Sequence, residues 1–187
     1  MDRMSLSGPP RGLTLLELLL VLAVLAVLAA LMVPGFQTLQ QAVSIRLEAG
    51  RLLQAVSLAR SEAMFRGEAV TLCPTAPDPA GDTEHCRGTY SQGWMLYANP
   101  GALAQPVTAE QILQRWPGRP NLTIVNRAGT QLLDARVSWR ADGTARRNLT
   151  FMVCSRQKPS LASWSLVLNR LGRPRLARGW GDCNASV

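Results

Sequence analysis

The feature that most constrains this chain is an uninterrupted apolar run near its N-terminus. Residues 13–33 read LTLLELLLVLAVLAVLAALMV, with one charged residue among them. As a helix rising 1.5 Å per residue, this run is about 31 Å long, which matches the roughly 30 Å hydrocarbon core of a bilayer. A cleaved secretory signal is the alternative, but the apolar core of such a signal is usually only about 7 to 15 residues long. The run therefore predicts a helix that spans a membrane.

The basic residues around the run predict its orientation. Arg3 and Arg11 precede it, and the next basic residue is Arg46. Because cytoplasmic flanks carry the excess of Lys and Arg, the N-terminus should stay in the cytoplasm and the remainder of the chain should be exported.

Two residues are unusual for an ordinary membrane anchor. Glu17 places a carboxylate one turn into the apolar run, where a charge costs about 2.5 to 3.5 kcal/mol on insertion scales and usually has a partner. Pro34 lacks the backbone donor that a helix needs at the point where the span should end. Both residues call for a role beyond anchoring.

The stretch RGLTLLELLL supplies that role, because it resembles the prepilin signature of type IV pilins and pseudopilins. A short basic leader ends in Gly12, and Leu13, Thr14 and the acid Glu17 follow. The resemblance implies cleavage by a prepilin peptidase after Gly12 and N-methylation of Leu13. It also implies that Glu17 pairs with the amino terminus of a neighbouring subunit during assembly.

The same resemblance implies a location and a set of partners. The protein is expected to be a single-pass inner-membrane protein with a periplasmic C-terminal domain before assembly, and to be surface-exposed in the pilus afterwards. Its expected protein partners are the prepilin peptidase, the major pilin and other minor pilins.

The helix is predicted to continue as an amphipathic segment and to end at Gly67. Apolar residues at three- and four-residue spacing should form its packed stripe, and polar residues between them should face away. The stripe comprises Leu39, Val43, Leu47, Leu53 and Val56, and the outward set comprises Arg46, Glu48, Arg51 and Gln54.

Beyond the helix, short apolar runs separated by turn residues predict an antiparallel sheet. These runs lie at residues 69–73, 93–98, 111–116, 122–125, 136–139, 149–154 and 164–169. The predicted fold class is α+β and type IV pilin-like, with a long N-terminal helix packed on a C-terminal antiparallel β-sheet domain. The predicted boundaries are a leader at 1–12, a transmembrane helix at 13–34, its amphipathic continuation at 35–67 and a β-rich domain at 68–187.

Four cysteines in an exported domain predict disulfides. Three connectivities are possible, and we favour Cys73 with Cys86 and Cys154 with Cys183. The first bond would close a proline-rich loop that has little apolar content, and the second would fasten the chain end to a central strand. A metal site at Cys73, His85 and Cys86 is not expected, because the spacing matches no tetrahedral pattern.

Positive charge concentrates at the end of the chain. From Arg136 to Val187, nine arginines and Lys158 face only Asp142 and Asp182, so this segment carries a net charge of +8, as much as the whole chain. A polyanion should therefore be drawn to the C-terminal third. A solvated loop that serves solubility or contacts acidic lipid is the alternative.

Several stretches resemble the FimT/GspH group of the pilin superfamily. ARSEAMFRGEAVTLCP is similar to the end of its helix and its first strand, SQGWMLYAN to its Gly-Trp strand, and RADGTARRNLTFMVC to a later hairpin. GRPR matches the GRxR motif of FimT-type minor pilins, which bind DNA in natural transformation. Pro34, usual in type IV pilins, also favours FimT over secretion pseudopilins. The expected DNA-binding residues lie in a basic tail at 169–183 and are Arg170, Gly172, Arg173, Arg175 and Arg178.

The predicted function is weak, sequence-nonspecific binding of double-stranded DNA through a flexible tail, with Trp180 as a further candidate contact. The alternative is a structural minor pilin or type II secretion pseudopilin that primes fibre assembly without binding DNA. An enzyme is not expected, because the sole histidine lies in a predicted loop and the sequence has neither a recognisable acid pair nor a glycine-rich phosphate motif. No cofactor or metal is expected.

Overall fold

The N-terminal part of the chain is a 52-residue helix, α1, from Leu15 to Arg66. The computed structural model describes residues 14–77 and 85–183, so the predicted processing residues Gly12 and Leu13 lie outside the described part. The helix continues through Pro34, as predicted. The predicted stop, Gly67, directly follows the last helical residue and has a φ of 66°. Glycine fits this left-handed position because it has no Cβ to clash.

The chain divides into two compact units, residues 1–40 and 41–187. In the first unit, the described residues belong to α1, apart from Thr14. The Thr14 hydroxyl accepts a hydrogen bond from the Glu17 backbone N–H at 3.3 Å, which caps the free donors of the first turn. The apolar side chains described here are exposed, and α1 is long and apolar enough to cross a membrane.

The second unit contains the C-terminal end of α1 and, within residues 41–77 and 85–183, eight strands in two antiparallel four-stranded sheets. Sheet A has the order β3-β2-β1-β5, and sheet B has the order β4-β6-β7-β8. The strands are β1 Val70–Pro74, β2 Gly93–Ala98, β3 Ile112–Pro117, β4 Leu122–Val125, β5 Val137–Trp139, β6 Leu149–Ser155, β7 Trp164–Leu168 and β8 Pro174–Arg178. A short 3-10 turn, Ala109–Gln111, precedes β3.

The seven predicted strands are present, with ends shifted by at most one residue. The eighth strand, β8, was missed, because its sequence PRLAR is short, basic and poor in β-branched residues. Pairing with β7 holds it in place, from Leu168 opposite Pro174 to Trp164 opposite Arg178. The predicted flexible tail is therefore wrong over this stretch, which is an ordered edge strand.

The face of α1 that packs in the core differs from the predicted stripe. Leu39, Val43 and Leu47 are exposed, and Glu48, predicted to face away, is buried. The buried face is rich in alanine, and small side chains let the helix approach the sheets closely. Its apolar members are Ile45, Ala49, Leu52, Ala55, Val56, Ala59 and Ala63.

Glu48 is held in a buried ion cluster. Its side chain is 1% exposed, and its Oε2 lies 2.7 Å from an Arg51 nitrogen and 3.2 Å from Arg119 Nε. Arg51 also donates to the carbonyl of Pro117 at 2.9 Å and lies over the Trp94 ring. The cluster thus ties α1 to the β3–β4 connection, and the two guanidinium groups compensate a carboxylate that would be costly to bury alone.

Two disulfides cross-link the second unit. Cys73 bonds Cys86 and Cys154 bonds Cys183, with Cα separations of 5.5 and 5.8 Å. This is the connectivity favoured from the sequence, and it leaves neither Cys73 nor Cys86 as a thiolate ligand for a metal.

Candidate nucleic-acid interface

The GRxR stretch forms the turn and the outer strand of the β7–β8 hairpin. The Asn169 carbonyl accepts a hydrogen bond from the Gly172 N–H at 3.0 Å, and its side-chain Oδ1 accepts one from the Arg173 N–H at 3.0 Å. An asparagine that bonds the backbone ahead of it stabilises a turn. The local sequence therefore presents Arg170 and Arg173 on a closed turn.

Gly172 anchors this turn to the rest of the domain. Its φ is 73°, and a Cβ at this position would lie 2.0 Å from the carbonyl oxygen of Gly143 and 3.3 Å from the Trp139 ring. The Arg170 carbonyl accepts a hydrogen bond from the Ala145 N–H at 3.0 Å. The glycine of the motif therefore allows both the turn and its close backbone packing against Gly143.

The predicted DNA-binding arginines are exposed but do not all share one surface. Arg170 and Arg173 lie in the turn, and Arg175 follows on β8 opposite Val167. Arg178 lies three residues further along β8, and successive side chains of a strand point to opposite faces, so it is directed away from Arg175. Within residues 14–77 and 85–183, none of the ion pairs involves any of these four arginines.

Arg178 and Arg175 lie on opposite faces of sheet B. Arg178 is paired with Trp164, whose ring packs against the core and lies 5.6 Å from the Arg46 guanidinium. Arg175 instead lies on the outer face of sheet B, the face turned away from the main core. The structure thus places Arg175 on the outer face of sheet B, next to the exposed turn that carries Arg170 and Arg173, and leaves Arg178 on the helix-facing side.

A neighbouring turn carries further exposed basic residues. Gly143, which contacts Gly172, lies in a turn flanked by exposed basic residues. The backbone of one of them, Arg140, donates a hydrogen bond to the Thr144 carbonyl and accepts one from the Gly143 N–H. The acid in this turn, Asp142, accepts hydrogen bonds from the Thr144 hydroxyl and from the Thr144 backbone N–H. Both bonds lower the pKa of Asp142, the hydroxyl bond more than the backbone bond. The exposed basic residues here are Arg140, Arg146 and Arg147.

Sequence reasoning missed Arg127, which follows β4. Its guanidinium lies 4.7 Å from the centre of the Trp180 ring, and the Arg175 guanidinium lies 4.4 Å from the same centre. Trp180 therefore contacts arginines of this surface. No sequence signal could have linked Arg127 to Arg175, because they are brought together only by the pairing of β4, β6, β7 and β8.

Comparison with family models identifies the family. The model described as type II transport protein GspH matches residues 48–172, and the prokaryotic N-terminal methylation motif matches residues 10–33. The chain belongs to the GspH family. With its methylation motif and pilin-like fold, this GspH-family protein is a minor pilin or pseudopilin, a class of structural components. The sequence prediction of the FimT/GspH group is confirmed at this level.

Solved structures of a type IV minor pilin support the same fold. Two crystal structures of the type IV minor pilin FimU from Pseudomonas aeruginosa match with TM-scores of 0.51 and 0.53, at 21% and 19% identity. They cover 74% and 75% of this chain and 98% and 95% of the FimU chains. The minor pseudopilin EpsH of the Vibrio cholerae type 2 secretion system matches with a TM-score of 0.48 at 11% identity, over 71% of this chain and 95% of EpsH. No curated protein matches the chain significantly.

Proposed function

We propose that this GspH-family protein is a FimT-type minor pilin that binds double-stranded DNA without sequence preference and contributes to DNA uptake in natural transformation. The observation that carries the proposal is the β7–β8 hairpin, which holds Arg170, Arg173 and Arg175 exposed and outside the ion pairs of the described residues. The match of GRPR to the GRxR motif supports the same assignment.

The hairpin suits phosphate binding. A guanidinium presents a planar set of N–H donors that fits a phosphate, and each phosphate neutralised releases counterions and so favours binding. The Asn169 bonds and the Gly172 contact fix the backbone before DNA arrives. Because less backbone entropy is lost on binding, an ordered hairpin should bind more tightly than a flexible tail of equal charge.

Assembly places the hairpin where DNA can reach it. The proposed sequence of events is cleavage of the leader after Gly12 in the inner membrane, methylation of Leu13, and pairing of Glu17 with the amino terminus of an adjacent pilin. The second unit would begin in the periplasm and then become exposed on the fibre. Support comes from the methylation motif at residues 10–33 and from the apolar first half of α1.

Replacing Arg173 and Arg175 together by Ala is expected to weaken DNA binding at least about tenfold, since each lost charged contact removes roughly a kcal/mol or more. The slope of log affinity against log salt should fall by about 1.8, from about 0.9 per phosphate contact. The measurement is a titration of fluorescent duplex DNA with the detergent-solubilised full chain at two salt concentrations.

The matched control is the double variant Arg156→Ala, Lys158→Ala. It removes the same charge from the opposite end of sheet B, since these residues follow β6, whereas the hairpin turn lies beside the start of β6. This control should retain most of the affinity. Equal weakening by both double variants would show that only net charge matters and would reject the hairpin as the site.

A second candidate is a purely structural minor subunit. It is favoured by a groove of about 560 Å³ between α1 and β8, where exposed Val43 and Leu47 lie beside Leu176. Apolar residues in a groove are typical of a subunit contact. A strain that carries the Arg173 and Arg175 double variant separates the two functions: a DNA receptor should lose transformation and keep piliation or secretion, whereas a structural role would lose these together or not at all.

A further inference from the structure

The outer face of sheet B carries an arrangement that the GRxR motif does not include. Arg127 and Arg175 both lie over the Trp180 ring, at 4.7 and 4.4 Å from its centre. The two guanidinium carbons are therefore no more than about 9 Å apart, the sum of these distances. Like charges this close repel each other, and the indole between them offsets part of that repulsion through its ring quadrupole.

Trp180 is held in place by its own backbone and its neighbours. Its carbonyl accepts a hydrogen bond from the buried Ser165 hydroxyl at 2.8 Å. The next residue, Gly181, has a φ of 113°, and a Cβ there would lie 2.6 Å from the Arg127 carbonyl oxygen. Cys183 then closes the segment through its disulfide to Cys154 on β6. The indole is thus a fixed platform for the two arginines.

A stacked guanidinium keeps its binding capacity. Stacking uses the face of the group, and the N–H donors point outward from its edge, where they can bind a phosphate in bidentate fashion. Because their guanidinium carbons lie no more than about 9 Å apart, Arg127 and Arg175 are close enough to engage neighbouring phosphates of one strand. The rotamers are also fixed before binding, which lowers the entropic cost.

A groove connects Arg127, one member of this pair, to the hairpin turn. The groove has a volume of about 420 Å³ and is bounded by Arg127 at the end of β4 and by Asn169 in the β7–β8 turn. Between them it is lined by apolar side chains of β6 and β7 and by Asn148 and Thr150, which offer uncharged hydrogen-bonding groups. Of the described residues that line it, none is acidic. An anionic chain can therefore pass from the turn to Arg127 without meeting a negative charge in the groove.

We propose that Arg127 and Arg175, positioned by Trp180, form a phosphate clamp, and that the DNA backbone runs through this groove from the hairpin turn to the clamp. The inference rests on the proposed DNA-binding function and extends its footprint to β4. Arg127 is a binding residue in this scheme, and Trp180 is a positioning residue that acts through the two arginines. The ligand class is the sugar-phosphate backbone of duplex DNA.

The test uses the detergent-solubilised full chain and a random-sequence fluorescent duplex at two salt concentrations. Arg127→Ala should weaken binding about fivefold and reduce the salt slope by about 0.9, the value for one phosphate contact. The control Arg156→Ala removes the same charge from the far end of sheet B and should leave the affinity within about twofold, as expected for distant charges screened by salt.

Two substitutions of Trp180 test whether its aromatic face positions the arginines. Trp180→Phe keeps an aromatic face and should stay within about threefold of wild-type affinity, whereas Trp180→Leu keeps apolar bulk without that face and should match Arg127→Ala. Thermal unfolding of both Trp180 variants identifies any loss of fold. If Trp180→Leu unfolds, the Arg127→Ala salt slope still decides the clamp.

The outcomes separate this inference from the function on which it rests. If the Arg173 and Arg175 double variant weakens binding but Arg127→Ala leaves affinity and salt slope unchanged, the clamp is wrong and the hairpin stands. If no variant weakens binding, both proposals fail. If the wild type binds anionic lipid vesicles but not duplex DNA, and Arg127→Ala abolishes that binding, the DNA path is overturned in favour of a membrane contact.

Discussion

Replacing Glu48 by Ala is expected to destabilise the second unit by about 2 to 3 kcal/mol, less than the roughly 3 to 5 kcal/mol of a fully buried pair because the Arg51 and Arg119 side chains are 21% and 45% exposed. The Glu48 carboxylate is 1% exposed and contacts both Arg51 and Arg119. Its loss leaves two guanidinium groups at the helix–sheet contact without their counter-charge. Thermal unfolding followed by circular dichroism should show a midpoint lower by about 8 °C, at roughly 3 °C per kcal/mol for a domain of this size.

A matched control is available on the same helix. Glu62 contacts Arg66 at the same 2.7 Å distance, but the Glu62 side chain is 28% exposed. Exposed pairs contribute little because water screens them, so Glu62→Ala should cost less than about 1 kcal/mol. Equal shifts in the two variants would mean that burial of Glu48 does not matter and would contradict the account of the cluster.

Replacing Gly172 by Ala is also expected to have a large effect, destabilising the second unit by about 3 to 4 kcal/mol. The left-handed backbone costs about 1 to 2 kcal/mol for a residue with a Cβ, and the overlap with the Gly143 carbonyl adds a further cost typical of overpacking. Because the turn must move to relieve this overlap, DNA affinity should fall towards that of the Arg173 and Arg175 double variant. Chemical denaturation and duplex titration measure the two effects.

Gly179 provides the comparison within the same hairpin region. Its φ of 64° resembles that of Gly172, but a Cβ there would meet nothing within 4 Å. Gly179→Ala should therefore show the conformational cost alone, about 1 to 2 kcal/mol. The difference between the variants isolates the contact with Gly143. If Gly172→Ala is no worse than Gly179→Ala, the turn is not anchored there and the ordered-hairpin explanation must be abandoned.

Most of the fold could be predicted from the sequence, because its signals are local. The apolar run, the glycine at the helix end and the short apolar segments that form most strands each depend on neighbouring residues. The strand β8 could not be predicted this way. Its residues have weak strand propensity, and its order comes from pairing with the edge of β7.

The candidate site was only partly predictable, for a similar reason. The GRxR match gave Arg173 and Arg175, and the basic segment around it added Arg170 and Arg178. The sequence could not separate Arg178 from the others, because distance along the chain does not report which face of a strand a side chain occupies. The alternation along β8 directs Arg178 away from Arg175. Arg127 is distant in sequence and reaches Trp180 only through the folded sheet.

By itself, the sequence determined the family, the long helix, most strands and the concentration of positive charge, because each of these depends on adjacent residues or on composition. Only the tertiary structure decided that Glu48 is buried, that the GRxR segment is an edge strand anchored at Gly172, and that Arg127 joins Arg175 on Trp180. These features depend on contacts between distant segments, and their energies arise from burial and pairing that no single segment contains.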